Sequence, residues 1–258
     1  MGRGVADHTV GLIPAAGQAS RLGRLPCSKE VFPLPGGAEE EGGVRVMADC
    51  LLDAYEAADI GQVFFIIRDG KWDIPAYFGD GSGYGLSIGY LMMGLPWGTP
   101  FTLDQAFEFI QGKTVAMGFP DMQFRPRNVF TLMLQHLANH DADVVLGLMP
   151  QENRAKWDMV GFDSEKRVVC IDIKQPDTKL DYCWFAAVWS PRFTCFMHDF
   201  LASLAAGSDL QALSEIYVGN VVQAAMKVGM DIRCEVFHEG EVVDLGTPDD
   251  LAGWVQRV

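Results

Sequence analysis

"IPAAGQASRLGRLPCSKEVFPL", residues 13–34, is the stretch on which the fold turns. It continues an apolar run, TVGLIP at residues 9–14, with no polar spacing inside it. A strand that is apolar throughout is buried on both faces, which is the habit of parallel sheets covered by helices. In such sheets ligands bind beyond the carboxyl ends of the strands. The loop that follows is built for this. Ala15, Ala16 and Gly17 carry little or no side chain, so their backbone can approach a phosphate closely. Arg21, Arg24 and Lys29 add positive charge. The spacing matches neither G-x-x-x-x-G-K-[ST] nor G-x-G-x-x-G, which removes the two commonest phosphate loops.

Working outward, residues 62–67, 114–119 and 143–149 read as further buried strands. Helical spacing at 46–58, 103–110 and 128–138 lies between them. The second half is richer in strands, at 159–163, 168–174 and 182–189. Helices follow at 192–205 and 214–228, then a final pair of strands at 232–237 and 241–243. A last helix spans 247–258, with Thr247 as cap, Pro248 in its first turn and Asp249 and Asp250 at its positive end. The segment PGGAEEEGG, 35–43, reads as a surface loop. No repeat or clear linker divides the chain. The expectation is one domain over 1–258, α/β and Rossmann-like, with a doubly wound, mostly parallel sheet. About 1–150 would bind a nucleotide, and about 151–258 would form a smaller β-rich lobe for a second ligand.

Composition narrows the functions. Of 258 residues, 49% are hydrophobic, enough for a sizeable core. A net charge of −14 argues against a nucleic-acid binder, which needs a basic face. It permits a small anionic ligand, because a few local cations dominate at short range. No run reaches the roughly 20 apolar residues of a membrane span, and the first residues lack a secretory core. The expectation is a cytoplasmic protein without membrane contact. Cys27, Cys50, Cys170, Cys183, Cys195 and Cys234 form no C-x-x-C pair, so free thiols are expected. Cys27 has no histidine or aspartate close in sequence to activate it. His136 and His140 stand one helical turn apart, but no H-E-x-x-H accompanies them.

The motifs resemble, in order, those of the sugar-phosphate nucleotidylyltransferases, a family that includes glucose-1-phosphate thymidylyltransferases and UTP–glucose-1-phosphate uridylyltransferases. Ala15-Ala16-Gly17, Ser20-Arg21-Leu22 and Lys29-Glu30-Val31-Phe32-Pro33-Leu34 resemble the family's opening signature. Tyr77 to Ser82 with Tyr84-Gly85 resembles its F-G-D-G-S element, and Pro96-x-Gly98 its P-x-G turn. Phe119-Pro120-Asp121 falls where the family has G-D. Val160 to Asp163 with Ile173-Lys174-x-Pro176 resembles V-x-x-D and E-K-P, and Asp244-Leu245-Gly246-Thr247-Pro248 matches D-[IV]-G-T-P.

The resemblance implies transfer of an NMP from a nucleoside triphosphate to a sugar-1-phosphate-like acceptor, with release of pyrophosphate. It implies Mg²⁺ as cofactor, with Asp121 and Asp244 as metal ligands. Arg21 would hold the leaving phosphates and Lys29 the α-phosphate. Ala15, Ala16, Gly17, Ser20, Arg21 and Gly98 would bind the nucleotide. Trp157, Asp158 and Lys174 would bind the acceptor. The partners are then a triphosphate and a small phosphorylated acceptor, and a homo-oligomer is compatible.

Three departures stand out. The loop between Arg21 and Lys29 is shorter than the family's. Met93 occupies the position of a base-reading glutamine, and a thioether offers no paired donor and acceptor. The base therefore stays open between pyrimidine and purine. Ile173 replaces the glutamate of E-K, and Ala186 a glycine beside the sugar. A pocket that loses a hydroxyl partner and gains apolar bulk suits a deoxysugar phosphate or a non-sugar phosphate or phosphonate, for example with CTP. A catalytically inactive binding or regulatory protein is the remaining alternative.

Overall fold

The computed structural model describes residues 8–35, 44–94, 97–207 and 215–257. The opening apolar run forms β1 (Thr9–Pro14). Side chains alternate across a strand, so Val10 and Leu12 enter one hydrophobic cluster and Ile13 another on the opposite face. A short ribbon, β2 (Pro33–Leu34) with β3 (Arg45–Val46), precedes α1 (Asp49–Glu56). There follow β4 (Gln62–Arg68), α2 (Asp73–Phe78), β5 (Ser87–Met93), α3 (Thr99–Asp104), α4 (Phe107–Ile110) and β6 (Thr114–Gly118). Next come β7 (Met122–Arg125), α5 (Val129–His140), β8 (Val144–Pro150), β9 (Asp158–Phe162), β10 (Val168–Ile173) and β11 (Tyr182–Trp189). The chain continues through α6 (Pro191–Gly207), α7 (Val218–Lys227), β12 (Ile232–Val236), β13 (Glu241–Asp244) and α8 (Pro248–Arg257).

Nine strands make the main sheet, in the order β10-β9-β11-β6-β1-β4-β5, with β8 against β11 and β12 against β8. β6, β1, β4 and β5 are mutually parallel, as are β8 and β12. Among the described strands of this sheet, only β10 and β11 run against the others. This is the mostly parallel, doubly wound α/β architecture expected from the sequence. α1 approaches the sheet closely because Gly118 has no side chain. A Cβ there would stand 2.3 Å from Leu51 Cδ1. Tyr55 of the same helix directs its hydroxyl at the carbonyls of Leu12 and Ala116, tying α1 to β1 and β6.

Several boundaries differ from expectation. The helix foreseen over 46–58 starts at Asp49, because Arg45 and Val46 pair with β2 and the Asp49 carboxylate accepts the Val46 N–H at 2.7 Å. The segment 103–110 is two short helices. α3 starts earlier, at Thr99, with Pro100 in its first turn. α7 starts at Val218, where Asn220 Oδ1 accepts the Tyr217 N–H; Ser214 lies outside the described residues. β5 and β7 were not foreseen. The last two strands do not pair together: β12 lies parallel to β8, and β13 pairs antiparallel with β7. That β7–β13 ribbon positions the site. The 35–43 loop lies outside the described residues beyond Pro35, as do the first seven residues and Pro96. α8 is capped as expected, Thr247 Oγ1 accepting the Asp250 N–H at 3.3 Å. The six cysteines are free. Among the described residues, no helix is long and apolar enough to cross a membrane.

Candidate active site

The carboxyl ends of β1 and β6 open into a cleft of about 690 Å³. Pro14, Ala16 and Gly17 form its floor beside β1, and Phe119 and Asp121 follow β6. Ala15 does not reach the cleft: its side chain is buried and its N–H is given to Ile66 O at 2.8 Å. Ala16 and Gly17 therefore form the small-residue wall. Ser20 opens a 3-10 turn that presents Arg21 to the cleft, while Ser20 itself is exposed outside it. Arg24 is exposed and also lies outside the lining.

Asp121 and Asp244 come together through the β7–β13 ribbon. Asp244 stands opposite Met122, and the Leu245 N–H donates to Asp121 O at 3.0 Å. Residues 123 apart in sequence thus share one wall. Lys29 Nζ meets Asp121 Oδ2 at 2.5 Å. Burial alone would lower the Lys29 ammonium, but Asp121 and Glu30 outweigh it and hold its pKa above the ordinary value. Burial would raise Asp121, but Lys29 and, more weakly, Arg21 hold its carboxyl below the usual range. Asp244 goes the other way. Burial and the neighbouring Asp121 charge raise it, against the pull of Lys156, Arg21 and Lys29. Two carboxylates that repel across a partly dry wall, facing space for phosphate oxygens, suit a hard divalent cation such as Mg²⁺, which takes one or two carboxylates plus ligand oxygens and water. Among the described residues no group of three or more His, Cys, Asp or Glu side chains is arranged to hold a metal ion.

Lys156 was not foreseen. It arrives on the 3-10 turn Arg154–Lys156 before β9, with Nζ 2.5 Å from Asp250 Oδ2 and 3.5 Å from Asp244 Oδ2. Beneath Lys29 lies a second unforeseen pair. Glu30 is fully buried, and its Oε1 accepts from Lys71 Nζ at 2.7 Å. These contacts join residues 94 and 41 positions apart, and no local pattern marks them.

Gly98 lines the cleft at the start of α3 with φ 116°, a conformation that side chains rarely adopt. A Cβ would fall 2.1 Å from Ile216 O. Gly98→Ala is expected to lower stability by about 1–3 kcal/mol through this strain, read as a lower urea midpoint. An unchanged midpoint would refute it.

Trp157, Asp158 and Lys174 all line the cleft, with Trp184, Glu215 and Tyr217. Lys174 Nζ lies 3.9 Å from the Tyr217 ring centroid, and the Tyr217 hydroxyl donates to Glu215 Oε2 at 3.1 Å. Met93, at the motif position of a base-reading glutamine, lies outside the lining and packs against the core; Gln18, Thr99 and Thr102 line the cleft. Cys27 is not activated: burial, then Asp73 and Glu30, push its thiol up. His136 pairs with Glu235 at 2.8 Å and His140 with the His136 carbonyl at 3.1 Å, and neither lines the cleft.

No protein-family model matches this chain. No curated protein matches it significantly. Solved structures do. One is a crystal structure from Bacillus anthracis, provisionally described as a glucose-1-phosphate thymidylyltransferase in complex with a sucrose. It superposes with a TM-score of 0.80 at 16% identity, over 96% of this chain and 94% of that one. The chain therefore shares the α/β fold of that structure.

Proposed function

We propose that this protein is a nucleotidyltransferase that joins an NMP from a nucleoside triphosphate to a small phosphorylated acceptor of the sugar-1-phosphate type. The observation that carries the reading is the convergence of Arg21, Lys29, Asp121 and Asp244 on one cleft at the carboxyl ends of β1 and β6. The residues come from separate parts of the chain and are the types such chemistry needs. In the reaction an acceptor phosphate oxygen bonds to the α-phosphorus. The bond from the α-phosphorus to the α–β bridging oxygen breaks, and pyrophosphate leaves. Two anions must meet, so positioning and charge neutralisation do most of the work.

Lys29 is the group that stabilises charge growing on the α-phosphate oxygens. Arg21 offers a planar fork for the departing phosphates. Ala16 and Gly17 let the backbone lie against the triphosphate. Lys174 takes the acceptor phosphate, and Trp157 and Asp158 its other end. Asp121 and Asp244 would hold Mg²⁺, which supplies charge neutralisation and orientation of phosphate oxygens. The segment of about 1–150 then serves the nucleotide, and about 151–258 the acceptor and the second aspartate, within one domain.

The test is pyrophosphate release from the purified chain with Mg²⁺, each common nucleoside triphosphate and a panel of phosphorylated acceptors. Release that requires both substrates, with a product heavier than the acceptor by one nucleotidyl unit, is the expected result. Absence of release with every pair would refute transferase activity across that panel.

A further inference from the structure

We propose that the acceptor end of this cleft is built for a small phosphomonoester or phosphonate carrying a positively charged amine or ammonium group. The proposal rests on the nucleotidyl-transfer reading above and names its acceptor class. Asp158 is 9% exposed, and its Oδ1 has no hydrogen-bond partner. The carboxylate otherwise receives a long bond, 3.4 Å, from Trp184 Nε1 to Oδ2 and a backbone N–H from Lys174. A buried carboxylate oxygen without a partner is costly unless a ligand supplies one.

The surroundings select the kind of ligand. Trp184 contacts Asp158 and the Tyr217 ring lies against Lys174, while Trp157 lines the same cleft. Aromatic faces attract ammonium groups, most strongly where water is excluded. Tyr217 already does so within the chain, holding the Lys174 ammonium 3.9 Å from its centroid. A neutral polyhydroxylated sugar needs donors and acceptors in matched sets, whereas this end offers π faces and the carboxylates of Asp158 and Glu215. Lys174 is the cation available there for the phosphate. Ile173, the residue before it, pairs with Asp158 across the β9–β10 ladder. Phosphate and ammonium sites are thus close neighbours, which favours a short chain between the two charges. Burial raises the Asp158 carboxyl, against the opposing pull of Trp184 and Lys174; a bound cation would favour its charged form.

The experiment compares phosphocholine, phosphoethanolamine and 2-aminoethylphosphonate with glucose-1-phosphate and glycerol phosphate, in pyrophosphate release with Mg²⁺ and each triphosphate. At least one cationic acceptor is expected to exceed both neutral ones about tenfold or more in kcat/KM. Asp158→Asn, which preserves shape, should raise the KM for that acceptor about tenfold or more beyond any rise it causes for the acceptors without an ammonium group. The three cationic probes separate ester from phosphonate and primary amine from quaternary ammonium. Preference for a neutral acceptor, or an equal effect of Asp158→Asn on all acceptors, would overturn the proposal and leave nucleotidyl transfer standing. If no acceptor supports release, transfer is what fails. Calorimetry with the three cationic probes then decides the proposal. Binding that is weakened in Asp158→Asn sustains it, and no binding overturns it.

Discussion

Lys29→Met is expected to lower kcat for pyrophosphate release by about 10²- to 10³-fold, the loss typical of removing one donor aimed at a developing oxyanion. Lys29 sits on a short helical turn at the cleft, held against Asp121. Its ammonium stays charged because Asp121 and Glu30 overcome the effect of burial. Methionine keeps most of the stem and removes only the charge. The KM for the triphosphate should rise less than kcat falls, because the interaction strengthens as charge develops. Steady-state kinetics checks this directly. A kcat within about threefold of wild type, small against that expected loss, would remove Lys29 from the chemistry.

The second large effect is on stability. Glu30→Ala is expected to cost about 3–5 kcal/mol, because it strands the Lys71 ammonium, 5% exposed, without its partner. Burial lowers the Lys71 pKa, and Glu30 is what chiefly opposes that fall. The pH dependence follows in sign. A lysine whose folded pKa lies below its unfolded value penalises folding most at low pH. The penalty shrinks as pH rises through the folded pKa toward the unfolded value of about 10.4. Urea unfolding from pH 6 upward should therefore show the Glu30→Ala deficit diminish with pH. The double variant Glu30→Met with Lys71→Met should recover most of the loss, since an apolar pair of similar volume often replaces a buried ion pair without penalty. A single-variant loss below about 1 kcal/mol, the size of a surface pair, would show that the pair does not behave as buried charge.

Both residues illustrate what the sequence disclosed and what it did not. Lys29, Asp121 and Asp244 were candidates because their motifs resemble those of the sugar-phosphate nucleotidylyltransferases, and all three line the cleft. The fold class was legible because β1, β4, β6 and β8 are buried on both faces and read as unbroken apolar runs. Lys71 and Lys156 were not, since the partner of each lies dozens of residues away and neither position interrupts a pattern. β5 escaped because it is the outer strand beside β4 and mixes Ser87, Gly89 and exposed Met92 into its run. β7 escaped because four residues with two polar members carry little periodicity. Ala15 and Ser20 belong to the motif yet do not line the cleft, since a motif marks a loop and not which of its atoms face inward.

The ion pairs within the cleft bear on how a ligand arrives. Arg21, Lys29, Lys156 and Lys174 share the lining with Asp121, Asp158, Glu215 and Asp244, so cations and carboxylates there balance one for one. The chain as a whole carries −14. Outside the cleft, within the screening length of about 8–10 Å, an approaching triphosphate meets the field of a net anion rather than an attractive one. Capture is left to diffusion against a repulsive envelope. Added salt, which slows association where charges attract, should here quicken the first encounter.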